Sequence, residues 1–225
     1  MSGFWLKIIA MVTMLIDHST SVLVPYESPY YLIGRSIGRL AFPIFCFLLV
    51  EGFLHTSNVK KYLMRLGIFA LISEIPFDLA FNHTFLEPGY QNVFFTLFIG
   101  MLVLTGLKKI NELYKGKVIY LFLSGAVIIG GCVLALALRT DYDYAGILII
   151  LSFYLLRKNK VLLTAALVII NDIALGGIQF LAVFAIIPIL FYNGQRGTKM
   201  NKYLFYAFYP GHLLTLYLIG TFLMK

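Results

Sequence analysis

Charge is scarce in this sequence: only 12% of its 225 residues are Asp, Glu, Lys or Arg, while 60% are hydrophobic. One soluble core cannot hide so much apolar surface, so a water-soluble globular fold is excluded. Cysteine is nearly absent as well. Cys46 and Cys132 both lie in apolar runs, which fits small buried hydrophobes and excludes a disulfide framework or a metal site. No segment has the composition of a linker, a low-complexity tail or a soluble domain, and no internal repeat stands out.

What is present is a succession of apolar runs. A hydrocarbon layer of about 30 Å needs roughly 20 residues of helix at about 1.5 Å each. The runs predict an all-α, polytopic bundle of about nine transmembrane helices, forming a single integral membrane domain over 1–225. The expected spans are 4–24, 37–54, 62–80, 93–107, 118–138, 143–156, 161–175, 178–192 and 203–223. Spans six to eight are short, and one of them is a candidate for a tilted or re-entrant segment. The first run carries Asp17 and His18 and has no small-residue cleavage site, so it is expected to be retained as a span.

The net charge of +8 does not indicate a nucleic-acid partner, because the charge is placed by loop. The even loops hold Lys60, Lys61 and Arg65; Lys108, Lys109, Lys115 and Lys117; Arg157, Lys158 and Lys160; and Arg196, Lys199 and Lys202. With Lys7, these make 14 of the 18 basic residues. The odd loops and their helix ends hold Arg35, Arg39 and Arg139, and Lys225 closes the chain. The positive-inside rule then predicts a cytoplasmic N-terminus, an outer C-terminus and a multi-pass protein of the cell membrane, in contact with its lipids. Eight of the ten acids lie toward the opposite, outer side. Acids do little for insertion, so that asymmetry needs another cause.

An ionised group at mid-bilayer costs roughly 2.5–3.5 kcal/mol even on a lenient scale, so such groups face a cavity or a partner. Asp17 and His18 lie two-thirds along the first span. Arg39 opens the second on the same side, and Glu74 and Asp78 share a helix face in the third. Asn92 and Thr96 begin the fourth span, Asn171 and Asp172 end the seventh, and Gln179 begins the eighth. Arg39 can neutralise Asp17, Glu74 or Asp78 in a structural network. His18 can take and return a proton near neutral pH, with Asp17, Glu74 or Asp78 as its partner. A second polar set is expected lower in the bundle: Glu51 and His55 at i,i+4, and His212 beside Pro210 and Gly211. Lys60, Lys61 and Arg65 suit both topology and an anionic nucleotide at the cytoplasmic mouth.

Several of these residues fall in short ordered motifs. Leu15-Ile-Asp17-His18, Ile37-Gly-Arg39-Leu-Ala-Phe-Pro43 and Leu49-Val-Glu51-Gly-Phe53-Leu-His55 are three of them. Ser73-Glu74-Ile-Pro-Phe-Asp78, Asn92-Val-Phe-Phe-Thr96, Asp143-Tyr-Ala-Gly146 and Tyr209-Pro-Gly-His212 follow. The series resembles the TraX family of membrane proteins, most of it within the first 110 residues. The namesake proteins acetylate the N-terminal amine of a conjugative pilin, and the family looks related to multi-spanning acyltransferases that use cytoplasmic acetyl-CoA. The resemblance implies an acetyl-transfer centre at Asp17 and His18, lined by Arg39, Glu74, Asp78 and Asn92. Glu51, His55 and His212 would support the donor side, and Lys60, Lys61 or Arg65 would hold the phosphates of acetyl-CoA. The acceptor it implies is an amine or hydroxyl of a membrane-associated peptide or small molecule at the outer side, and nothing in the residues identifies a pilin. A proton- or cation-coupled transporter is the competing class, although paired interrupted helices in matching halves are not evident. A membrane scaffold is the third.

Overall fold

The computed structural model describes residues 1–223; Lys225, counted above with the outer C-terminus, lies outside them. Among the described residues the chain is helical, with one isolated parallel bridge between Gln91 and Thr140. The helices are α1 (Gly3–Leu23), α2 (Pro29–Gly38), α3 (Ala41–His55), α4 (Val59–Phe81), α5 (Val93–Tyr114), α6 (Ile119–Ala137) and α7 (Asp143–Leu156). Next come α8 (Lys160–Ile169) with a π-helical turn (Ile170–Leu175), a 3₁₀ helix (Gly177–Ala185) running into α9 (Ile186–Leu190), and α10 (Lys202–Leu223). Taking α2–α3, α8 with its π turn, and the 3₁₀ helix with α9 as units, the expected nine helical segments are all present.

By length and apolarity α1, α2–α3 (Pro29–His55, 27 residues), α5 and α6 can each cross a bilayer. The α4 and α10 helices, at 23 and 22 residues, match them in length. At the centre lies α7, whose Ile147, Ile149, Ile150 and Phe153 are fully buried between α3, α5 and α6. By contrast α6 buries only Gly131 and Ala135, the pattern of a peripheral, lipid-facing helix.

Three departures from the expected spans have local causes. The second span begins at Pro29, where the Ser28 side chain caps the helix by accepting from the Tyr30 amide at 3.3 Å, and it breaks at Arg39–Leu40. Pro43 has no N–H to offer the Arg39 carbonyl, so one rung of the helical ladder is missing at that break. The fourth span continues to Tyr114, carrying Lys108 and Lys109 beyond the apolar run. The seventh and eighth spans form a hairpin of π and 3₁₀ geometry, turning on Gly176 and Gly177 with φ of 65° and 56°, values open to glycine at no steric cost.

The site is positioned by a close approach of α2 to α1. A Cβ built on Gly34 would lie 2.0 Å from Thr20 Oγ1, and one on Gly38 would lie 2.2 Å from Asp17 Oδ1. Two glycines four apart thus let the α2 backbone settle against α1, which brings Arg35 and Arg39 to one carboxylate. Gly38→Ala is expected to destabilise the protein by about 1–3 kcal/mol through overpacking, read as a lower midpoint of thermal unfolding in detergent.

Candidate functional site

Asp17 is the hub of the buried polar network. Its Oδ1 accepts from Arg39 Nη2 at 2.7 Å and its Oδ2 from Arg35 Nη1 at 2.9 Å. Arg39 also donates from Nη1 to Gln179 Oε1 (3.0 Å) and from Nε to the Arg35 carbonyl (3.1 Å). Gln179 lies on the 3₁₀ helix, so this one guanidinium ties the α8–α9 hairpin to α1 and α2. Of its five N–H groups, two remain uncommitted among the described residues. Arg39 therefore pairs with Asp17 and not with Glu74 or Asp78. Arg35, read above only as a loop charge, is its co-partner.

His18 finds an unexpected partner: its Nδ1 lies 2.7 Å from Nε2 of His212. His212 thus belongs with the upper polar set, since α10 crosses α1 there, and not with the donor-side set expected from its place in the last span. His18 Nε2 lies 4.0 Å from Asp17 Oδ2. Phe81 and Tyr209 present ring edges to the His18 imidazole at 5.3 and 5.8 Å.

Glu74 and Asp78 share a helix face yet serve different contacts, and neither is hydrogen-bonded to His18 among the described residues. Asp78 is fully buried and clamps the α4–α5 loop, accepting from Asn82 Nδ2 (3.1 Å) and the Glu87 amide (2.8 Å). Glu74 accepts from Asn92 Nδ2, and its other oxygen, Oε1, is buried with no partner among the described residues. Asn92 spends its remaining amide hydrogen on the Ala70 carbonyl (2.8 Å), while its Oδ1 caps α5 at the Phe94 amide (3.0 Å). With both hydrogens committed, Asn92 has none left for an oxyanion.

A wall missed by the sequence reading is the α6–α7 loop. Arg139, Tyr142 and Asp143 all take positive φ, a costly conformation for residues with a Cβ. The Gln91–Thr140 bridge, the Thr96 hydroxyl on the Asp141 carbonyl, and Tyr142 stacked 3.7 Å from Phe42 hold it in place. Burial pushes the Asp141 carboxyl up to about 6, against the stabilising hydrogen bond from Tyr90 and the charge of Arg39. The thin motif Asp143-Tyr-Ala-Gly146 was the available signal.

A cavity of about 670 Å³ opens at the opposite end of the bundle. Lys7, Arg65, Arg196, Lys199 and Lys202 line it, together with Glu51 and His55. Arg65 sits over the Tyr62 ring at 5.4 Å, and its buried Nε has no partner among the described residues. Lys60 and Lys61 are exposed and take no part in the wall; they sit in the first turn of α4, and Lys61 lies a full turn before Arg65. Deeper in, the wall is apolar and aromatic, from Met11, Phe45 and Leu48 to Met14, Phe94 and Tyr209. The polar groups do not converge on this void: none of Asp17, His18, Arg39 and Glu74 lines it, and each meets a partner side chain instead. The void ends at Met14, one helical turn before His18 on α1, and at Tyr209, whose ring edges both His18 and His212 at 5.8 Å.

The floor of the cavity is the α9–α10 loop, stitched to the start of α1. The Gly3 and Phe4 amides donate to the carbonyls of Gln195 (2.8 Å) and Arg196 (3.0 Å), and Asn193 donates to Met1 (2.9 Å). Arg196 Nη2 reaches the His55 carbonyl at 3.1 Å. The basic end thus gathers the start of α1, the end of α3, the start of α4 and the approach to α10.

Comparison with known proteins gives a consistent result. The family model described as TraX protein matches residues 2–220. The probable fimbrial assembly protein FimC, serogroup H1, of Dichelobacter nodosus is 33% identical over 243 residues, covering 96% of this chain and 94% of that protein. No solved structure matches.

Proposed function

The chain belongs to the TraX family, and on that premise we propose that it is a membrane-embedded acetyltransferase using acetyl-CoA from the cytoplasmic side. The observation that carries the proposal is a cavity with a cationic mouth and apolar walls that ends one helical turn below a histidine pair. Acetyl-CoA has matching chemistry: an anionic nucleotide, then a slender arm, then a thioester. Arg65, Lys7, Arg196, Lys199 and Lys202 suit the phosphates, and the span from Lys7 to His18, about 16 Å along the helix, suits the arm. In this reading the basic end is cytoplasmic, as the positive-inside rule expects, and the membrane is the cell membrane.

The acceptor amine or hydroxyl attacks the thioester carbonyl carbon, and His18 Nε2 takes the proton. The tetrahedral oxyanion forms near the two uncommitted N–H groups of Arg39. The C–S bond then breaks, the thiolate of CoA leaves, and the imidazolium returns the proton to it. The products are an acetylated acceptor and CoA. Asp17 holds Arg35 and Arg39 in place and offsets the charge that forms on His18. An α-amine, with an ordinary pKa of about 7.7–8.0, is roughly a tenth neutral at pH 7 and is an easier nucleophile than a lysine near 10.4. The N-terminus of a membrane-associated peptide is therefore the favoured acceptor class. A role in pilus or fimbrial assembly fits the name of the Dichelobacter nodosus relative.

The test uses purified protein in nanodiscs with labelled acetyl-CoA and peptides bearing free α-amines. Thiol release matched by acetylated amine supports the transferase. A pH-gradient-driven flux without thioester consumption supports the transporter instead.

A further inference from the structure

Which nitrogen of His18 acts as the base is decided by three contacts. His212 Nδ1 lies 2.6 Å from the Phe208 carbonyl. A carbonyl oxygen can only accept, so His212 Nδ1 carries a proton. The Nε2 of a neutral His212 is then an acceptor, and the proton in the 2.7 Å contact belongs to His18 Nδ1. That leaves His18 Nε2 with a free lone pair.

The alternative is a doubly protonated His212 donating to His18 Nδ1. It would add a third cation to a cluster in which Arg35 and Arg39 already engage Asp17 directly and act on Asp141 nearby, so no carboxylate is left to offset it. The other groups facing the pair, Phe81, Tyr209 and Phe208, are aromatic rings with no charge to offset it. The ring geometry favours a true hydrogen bond. The imidazole planes lie within 11° of each other and their centres are 4.9 Å apart. With 2.7 Å between the two nitrogens, the rings lie edge to edge in nearly one plane, not face to face. The donor hydrogen therefore lies on the line to the acceptor lone pair.

We propose that His212 is a positioning residue: it holds His18 with Nδ1 protonated and Nε2 free, so that the proton removed from the acceptor lands on Nε2, the nitrogen that faces Asp17. This rests on the acetyltransferase reading. The division of labour is the one by which a second group sets the tautomer of a catalytic histidine, with a backbone-anchored imidazole in place of a carboxylate. Phe208, His212 and His18 form one relay, in which the helical carbonyl of α10 dictates the protonation of a residue on α1.

The test has two readouts. The chain has four histidines, so protein labelled with ¹⁵N-histidine gives few enough signals to assign by His18→Ala and His212→Leu. Near pH 8 the His18 signals are expected to show a protonated Nδ1 and a bare Nε2, and His212→Leu is expected to release that tautomer. His18 protonated on Nε2 in the unaltered protein overturns the proposal, whether or not the protein transfers acetyl. In turnover, His212→Leu is expected to lower kcat by about 10²- to 10⁴-fold with little change in KM for acetyl-CoA. His212→Gln, whose Oε1 can still accept from Nδ1–H, is expected to recover most of that loss. Equal loss in folded His212→Gln and His212→Leu proteins contradicts a tautomer-setting role. An Nδ1-protonated His18 in a protein that transfers no acetyl leaves the pair standing and refutes the transferase reading.

Discussion

Replacing His18 with alanine is expected to lower acetyl transfer by about 10²- to 10⁴-fold while the purified protein stays folded in detergent. The side chain is 13% exposed and among the described residues makes one side-chain hydrogen bond, to His212. Its removal leaves His212 Nε2 without a donor, a cost of about 1–3 kcal/mol that a bundle of this size withstands. The size of the kinetic loss also reports on the acceptor. An α-amine is already partly neutral at pH 7, so the variant regains rate as the pH rises toward 9. A lysine or hydroxyl acceptor depends on the base more heavily and recovers less. Initial rates from pH 6.5 to 9, with unfolding followed in parallel, separate lost chemistry from lost fold.

Asp17→Ala is expected to act on stability first, by about 3–5 kcal/mol. Two guanidinium groups meet on this carboxylate, whose side chain is only 10% exposed. Removing it leaves both desolvated and repelling each other. Arg39 would also lose its register on Gln179, loosening the α8–α9 hairpin. Replacing Asp17, Arg35 and Arg39 together with leucine is expected to cost less than Asp17→Ala alone, because apolar groups of similar volume leave no unpaired charge. Thermal unfolding of both proteins in the same detergent compares them. A single substitution no worse than the triple one would show that the charges do not act as a unit.

The bundle was legible because a bilayer imposes a length on every apolar run. The α7 helix, bounded by Asp143 and Arg157, was placed to the residue. The α2 helix was hidden because Gly34-Arg-Ser-Ile-Gly38 reads as a polar, flexible loop. Its small residues are there for a close approach to α1, which hydropathy does not register. Asp17, His18 and Arg39 stood out as costly residues within apolar runs. Their partners did not, because the His18–His212 contact spans 194 positions and no local pattern encodes it. Glu74 and Asp78 share a helix face by spacing, but spacing could not show that Asn92 and the α4–α5 loop occupy them. At the cavity mouth, Lys7, Arg196, Lys199 and Lys202 were read as topology signals alone, since a basic loop serves insertion and ligand binding with the same residues.

Equilibrium binding of labelled acetyl-CoA to the purified protein needs no knowledge of the acceptor and tests the cavity itself. The account predicts saturable binding that is competed by CoA. Arg65→Leu combined with Lys199→Leu should weaken it by about tenfold or more, since charged hydrogen bonds are worth about 1.5–3 kcal/mol, whereas Lys60→Leu with Lys61→Leu should leave it nearly unchanged. Binding that never saturates, or that ignores Arg65 and Lys199 alike, would contradict it.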